Sequence, residues 1–240
     1  MSLVLQIGPG GVEETWLNPA REAVSRLSGR GELPPFRIEL PALPGFQGRP
    51  PAAHLDGLMD AADEAIAEAL DARRDGGFGG ALLVGAGVGA LLALELRARG
   101  GWWDLPLLLL APGPGYLPAP GPLGGLRRLW DGERLSADPA LRKQLFGGLQ
   151  RCGAIPTLRE AWPARLEPLA RSLAENPGAA DHVTVCWGDQ DALTQPAFEA
   201  WIRDRLRAPE RRAPDWGHLP FLESPEGWAR ALAALLDAPP

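Results

Sequence analysis

The chain has 240 residues, which suits one α/β domain with a full core, and we expect a single domain over residues 1–240. Its formal net charge is −6 and its arginines are scattered among acids, which argues against a nucleic-acid partner and favours a small-molecule substrate or ligand. The two cysteines and three histidines lack metal-ligand spacing, so no bound metal is expected.

The first residues, MSLVLQIGPGG, contain neither a basic region nor a cleavable apolar segment, so we expect a cytoplasmic protein. An uncharged run over residues 76–94 is long enough to span a membrane. It contains seven glycines, however, and divides naturally into a strand, a turn and a helix. We therefore expect no membrane association.

Continuous apolar runs alternate with segments of helical periodicity along most of the chain. Strands are predicted at residues 3–7, 36–40, 81–84, 105–111 and 183–187, and helices at residues 14–27, 55–72, 90–99, 198–206 and 228–236. Because the strands are continuously apolar, they fit a parallel sheet that helices cover on both faces. The predicted fold class is therefore α/β with a mostly parallel sheet.

The pattern changes between residues 112 and 178. Proline and glycine are frequent over residues 112–125, and amphipathic helical segments follow without a strand candidate. We predict that residues 112–178 form an insertion that lies over one end of the sheet as a helical lid.

Three segments carry residue types that suit a reactive site. The sequence Gly-Ala-Gly-Val-Gly at residues 85–89 links a predicted strand to a predicted helix, and its small residues fit a sharp turn. Asp191 follows the strand at residues 183–187, and His218 comes 27 residues later within Gly-His-Leu-Pro-Phe-Leu-Glu. This order of motifs resembles the α/β-hydrolase family, and the resemblance covers nearly the whole chain.

The resemblance implies an α/β-hydrolase fold and a place for each of these residues. The family's nucleophilic serine position falls on Gly87, its acid position on Asp191 and its histidine position on His218. Many members carry His-Gly-Gly-Pro-Gly-Gly where this chain has Gln-Ile-Gly-Pro-Gly-Gly. The backbone N–H groups of Gly8 and Val88 are therefore the expected donors of an oxyanion hole.

A glycine at the turn changes the chemistry that the resemblance implies. Acyl transfer needs an oxygen nucleophile beside the imidazole, and Gly87 has no side chain, so we expect no serine-type hydrolysis. Two interpretations remain open. A His–Asp dyad of His218 and Asp191 can act as a general acid/base on a small apolar metabolite, as in lyases, isomerases, cyclases or cofactor-free oxygenases. Alternatively, the chain is an inactive pseudo-hydrolase that acts as a binding or scaffold protein.

Structural roles for the same side chains are also possible. His218 could be a hydrogen-bonded loop histidine, and Asp191 could cap the helix that begins near Pro196. His54 and His182 are expected to be solvated or capping residues.

A dinucleotide-binding protein is the alternative from another class, because residues 85–90 also satisfy G-x-G-x-x-G/A between a strand and a helix. That motif requires an acid at the end of the next strand, where this chain has Leu110, Ala111 and Pro112. We therefore predict no cofactor.

Overall fold

The computed structural model describes residues 2–8, 14–74, 80–100, 102, 104–113, 154–191 and 196–237. In this part of the chain six parallel strands form one sheet in the order β2-β1-β3-β4-β5-β6. The strands are β1 (Ser2–Ile7), β2 (Phe36–Glu39), β3 (Ala81–Ala86), β4 (Leu107–Leu110), β5 (Val183–Gly188) and β6 (Glu210–Ala213). The predicted parallel sheet is confirmed.

Helices cover the sheet. They are α1 (Asn18–Gly29), α2 (Leu55–Arg74), α3 (Val88–Ala98), α4 (Ala154–Glu175), α5 (Pro196–Leu206), the single turn α6 (Pro220–Glu223) and α7 (Pro225–Leu236). Helices α1 and α7 pack against each other, whereas α2, α3 and α4 form a second packed group. Strands β3 and β4, in the middle of the sheet, are continuously apolar because they are covered on both sides: every residue of β4 is buried, and so are the last five of β3.

Helix α4 lies within the range that the sequence predicts to be a lid. Its Leu169 and Leu173 are buried in the core, and the Ser172 hydroxyl donates a hydrogen bond of 3.0 Å to the carbonyl of Ala98 in α3. The C-terminal half of this helix is therefore part of the layer that covers the sheet. Residues 114–153 lie outside the described residues, so a lid there stays a prediction.

Strand β6 was not predicted from the sequence. Among the described strands it lies at the edge and pairs only with β5, and Glu210, Arg211 and Arg212 are exposed along it. Instead of an apolar face it carries ion pairs, with Arg203 Nε 3.1 Å from Glu210 Oε1 and Arg212 Nη1 3.2 Å from Asp189 Oδ1. A strand with exposed side chains has no apolar pattern by which a sequence could reveal it.

The uncharged run over residues 76–94 divides as predicted, into strand β3, a turn at Gly87 and the beginning of helix α3. Among the described residues, no helix has both the length and the apolar character needed to cross a membrane.

Candidate active site

The turn between β3 and α3 consists of Gly87 alone. Its φ of 55° and ψ of −121° lie where residues with a side chain are strained, which explains why a glycine fits. The Gly87 N–H donates to the carbonyl of Leu110 at 2.9 Å, and its carbonyl accepts from the Gly113 N–H at 3.3 Å. The predicted turn at Gly87 is therefore present and is fixed to the end of β4.

Gly8 lies close to this turn. A side-chain carbon built on Gly89 would come within 2.9 Å of the Ile7 carbonyl carbon and 3.0 Å of the Gly8 oxygen, so the first turn of α3 packs directly on the end of β1. The strand order reverses between β1 and β3, and ligands of open α/β sheets bind at such a point, beyond the carboxyl ends of the strands.

Val88 is the first residue of α3, so its N–H lies at the positive end of the helix dipole. The structure thus places Gly8 and the start of α3 at one edge of the sheet. That their two amides bind one oxygen stays a prediction.

His218 and Asp191 form a buried pair in the loops that follow β6 and β5. The distance from His218 Nδ1 to Asp191 Oδ2 is 2.9 Å, and the two side chains are only 4% and 1% exposed. The contact that the sequence predicts is therefore present. With Nδ1–H donated to the carboxylate, Nε2 is the ring nitrogen whose lone pair can take a proton.

Main-chain hydrogen bonds join the loop of the acid to the loop of the histidine. The Asp189 N–H donates to Ala213 at 3.0 Å, and the Gln190 N–H donates to Trp216 at 2.9 Å. A side-chain carbon built on Gly188 would lie 2.7 Å from the Gly217 carbonyl oxygen, so a larger residue there would force the loops apart. The geometry of the pair thus depends on two adjacent strands and their backbone.

Two carboxylates act on the His218 imidazole. Burial is the largest single influence and opposes the charged ring, but the charge and hydrogen bond of Asp191 and the charge of Glu223 together raise the pKa of His218 above its ordinary value. Burial raises the pKa of Glu223 to about 7, against the opposing effects of His218 and of the amides of Gly217 and Leu219.

Glu223 has no role assigned from the sequence, although it ends the motif that contains His218. Both of its carboxylate oxygens are inaccessible to solvent. The available signal was an acid five residues after the histidine, at a helical turn opened by Pro220.

The other histidines and Cys186 lie outside the two loops that hold the pair. His54 Nδ1 accepts a hydrogen bond of 3.0 Å from the Gly57 N–H and so caps the start of α2, as expected, while His182 is exposed. Burial raises the pKa of the Cys186 thiol to about 11, and Cys152 lies outside the described residues. Within the described ranges, no group of three or more His, Cys, Asp or Glu side chains is placed to hold a metal ion.

Residues 8–231 match the model of the alpha/beta hydrolase family. The chain belongs to this family. No curated protein sequence matches it.

Solved structures of the alpha/beta hydrolase fold resemble the chain along nearly its full length. An esterase from Exiguobacterium antarcticum is 13% identical with a TM-score of 0.68, and the match covers 99% of this chain and 92% of the esterase. A 2-hydroxy-6-oxo-6-phenylhexa-2,4-dienoate hydrolase from a Rhodococcus species is 18% identical with a TM-score of 0.65, and the match covers 99% of this chain and 90% of that hydrolase. A mutant meta-cleavage product hydrolase from Pseudomonas fluorescens, complexed with acetates, is 16% identical with a TM-score of 0.64, and the match covers 98% of this chain and 90% of the mutant hydrolase. At these identities the likeness establishes the fold.

Proposed function

We propose that this alpha/beta hydrolase family member has no serine nucleophile and uses His218 and Asp191 as a general acid/base dyad on a small, largely apolar metabolite. The observation that carries the proposal is the buried contact of 2.9 Å between the two side chains, in loops at the carboxyl ends of adjacent strands. A histidine held in this way by a carboxylate has a fixed tautomer and a stabilised imidazolium.

Gly87 supports a reaction that proceeds without a covalent intermediate. It forms the turn from strand to helix where the family resemblance expects the nucleophile, and it offers no oxygen or sulfur atom to attack a substrate. The hydrolase activities named for the structural neighbours are therefore not carried over to this chain. A reaction that moves a proton without a covalent intermediate is compatible with every residue of the site.

The proposed step is removal of a proton from a carbon atom next to a carbonyl group. His218 Nε2 accepts the proton, and the C–H electron pair moves into the carbonyl, which becomes an enolate. Asp191 stabilises the resulting imidazolium, and the amides of Gly8 and Val88 at the start of α3 bind the enolate oxygen. Return of the proton to another carbon atom completes an isomerisation. In an elimination, the enolate electron pair expels a leaving group, which takes the proton from the imidazolium of His218.

Exchange of hydrogen for deuterium tests this step without knowledge of the product. The protein is incubated in D2O with a panel of small apolar ketones and 1,3-dicarbonyl compounds, and loss of the α-proton signals is followed by NMR. General-base catalysis typically accelerates a reaction by about 10²- to 10⁴-fold. We therefore expect faster exchange of the α-protons with at least one compound, and loss of this acceleration in His218→Ala. Asp191→Asn should retain only part of the effect, because the carboxylate acts through the ring.

The outcome also separates the two interpretations that the sequence leaves open. A compound that binds the protein, exchanges no faster than in buffer and binds His218→Ala equally well would overturn the catalytic proposal. The chain would then act as a binding protein with an unused His218–Asp191 pair.

A further inference from the structure

Glu223 is folded back towards the histidine by the single turn α6. The Leu222 and Glu223 N–H groups donate to the carbonyl of Leu219 at 2.9 and 3.1 Å, which closes the turn directly after His218. A side-chain carbon built on Gly217 would lie 2.7 Å from Glu223 Oε1 and 2.8 Å from the carboxyl carbon. The carboxylate therefore occupies the space beside the residue that precedes His218.

The carboxylate of Glu223 is buried and lies near the charged groups of the His218–Asp191 pair. Both oxygens are buried, and no described residue gives them a hydrogen bond within the usual limits of distance and angle. The amides of Gly217 and Leu219 act on them from nearby. The only charged groups that act on Glu223 among the described residues are His218 and Asp191.

The elements packed against α6 are α1, α7 and the short 3-10 helix Glu14–Leu17. Several of their charged side chains are engaged in other ion pairs, namely Glu14 with Arg21 at 3.2 Å, Arg26 with Glu226 at 2.6 Å, and Arg230 with Glu32. These elements therefore add no charged partner to Glu223, and neither does Glu22 of α1.

We propose that Glu223 is a positioning residue for His218: its buried carboxylate supports the backbone of residues 217–219 and places a second negative charge near the imidazole. This makes the ring a stronger base than the contact with Asp191 alone would make it. The use of that basicity rests on the proposed function, but the effect of Glu223 on the ring does not.

The charge of Glu223 is itself sensitive to pH. Because burial holds its pKa at about 7, the second negative charge is present above neutrality and is lost below it. The protonation of His218 and of Glu223 is therefore coupled, and their apparent pKa values belong to the two groups together. Basicity at the site is consequently greatest when both carboxylates are ionised.

The test measures the His218 pKa directly in the full-length protein without substrate. The chain has three histidines, so the imidazole signals of His54, His182 and His218 can be followed separately by two-dimensional NMR. In Glu223→Gln, which keeps the side-chain shape and removes the charge, we expect the pKa of His218 to fall by about half a unit or more, with the other two unchanged. An unchanged pKa of His218 in the folded variant would overturn the proposal.

Glu95→Gln is the matched control. Glu95 is also a buried carboxylate, with a side chain 8% exposed, but it lies near the end of α3 and pairs with Arg165. Its replacement should leave the pKa of His218 unchanged. A fall as large as that in Glu223→Gln would mean a general loss of packing and would also overturn the proposal.

A second measurement covers the case in which Glu223→Gln does not fold. In the unaltered protein, the carboxyl carbon of Glu223 should titrate near pH 7 and the His218 signals should show a second inflection at that pH. Titration of Glu223 near its ordinary value of 4.5, without a second inflection, would refute the coupling. If His218 responds as expected but no compound undergoes exchange, the proposed function fails while the role of Glu223 stands.

Discussion

Gly87→Ser would install a hydroxyl at the position where the family resemblance expects the nucleophile. The proposed step requires His218 to face this turn, because the enolate oxygen is bound by amides at the start of α3. The new serine oxygen would then come within reach of a histidine that Asp191 already orients. The variant should therefore acquire a reactivity that the unaltered chain lacks, namely stoichiometric labelling by a fluorophosphonate.

The cost in stability follows from the backbone. A side chain at φ 55° and ψ −121° is strained by about 1–3 kcal/mol, and in a domain of this size each kcal/mol lowers the melting temperature by about 2–4 °C. Gly87→Ala carries nearly the same strain without the hydroxyl, so it should melt at a similar temperature and remain unlabelled.

The assay is intact-protein mass spectrometry after incubation with the fluorophosphonate, beside a thermal melt. Gly87→Ser should gain the mass of one adduct, and the double variant with His218→Ala should gain none or react far more slowly. A stable Gly87→Ser protein that is not labelled would refute the alignment of His218 with the turn. Stoichiometric labelling of the unaltered chain would show that its nucleophile lies elsewhere.

The remaining predictions concern stability. Because the pKa of Glu223 is raised, between about pH 4.5 and 7 the folded state keeps a proton that the unfolded state has lost. The free energy of unfolding should therefore fall by up to about 3 kcal/mol as the pH rises through that range. The raised pKa of His218 acts in the same direction, from its unfolded value near 6.5 upward. Urea unfolding at pH 5 and pH 8 should show a smaller fall in Glu223→Gln, and equal falls in both proteins would contradict the reasoning. Gly89→Ala should lower the free energy of unfolding by about 1–3 kcal/mol, because the added side-chain carbon would collide with the backbone of Ile7. The side-chain carbon of Gly29→Ala would meet no atom within 4 Å, so this variant should be neutral or slightly stabilising. Equal melting temperatures for these two glycine variants would argue against the close packing of α3 on β1.

Strands β1, β3, β4 and β5 could be predicted from the sequence because a strand covered on both faces is a mostly apolar run. Strand β2 is a different case, because its buried Phe36 and Ile38 alternate with Arg37 and Glu39. The turn at Gly87 could be predicted because a one-residue turn into a helix demands a small residue with unusual backbone angles. The contact of His218 with Asp191 could be expected from two local motifs whose chain order matches a known family. In each case the signal is local, so the sequence displays it directly.

Other features depend on distant parts of the chain. Strand β6 is defined by hydrogen bonds to β5, and its exposed charged side chains resemble those of a loop. Helix α4 is held by contacts with α2 and α3 within one layer of helices, which its helical pattern cannot specify. The burial of Glu223 arises from the packing of α6 against α1 and α7. A sequence does not reveal which of its acidic side chains become buried in this way.

The two parts of the site are anchored independently. The turn at Gly87 is tied to the ends of β1 and β4, whereas the His218–Asp191 pair is built on the ends of β5 and β6. We therefore expect an exchange of the residue at the turn to leave the acid and the histidine in place. Glycine and serine codons can differ by a single base, so, if the proposed function holds, a lineage with this architecture can pass between covalent and non-covalent chemistry without rebuilding the rest of the site.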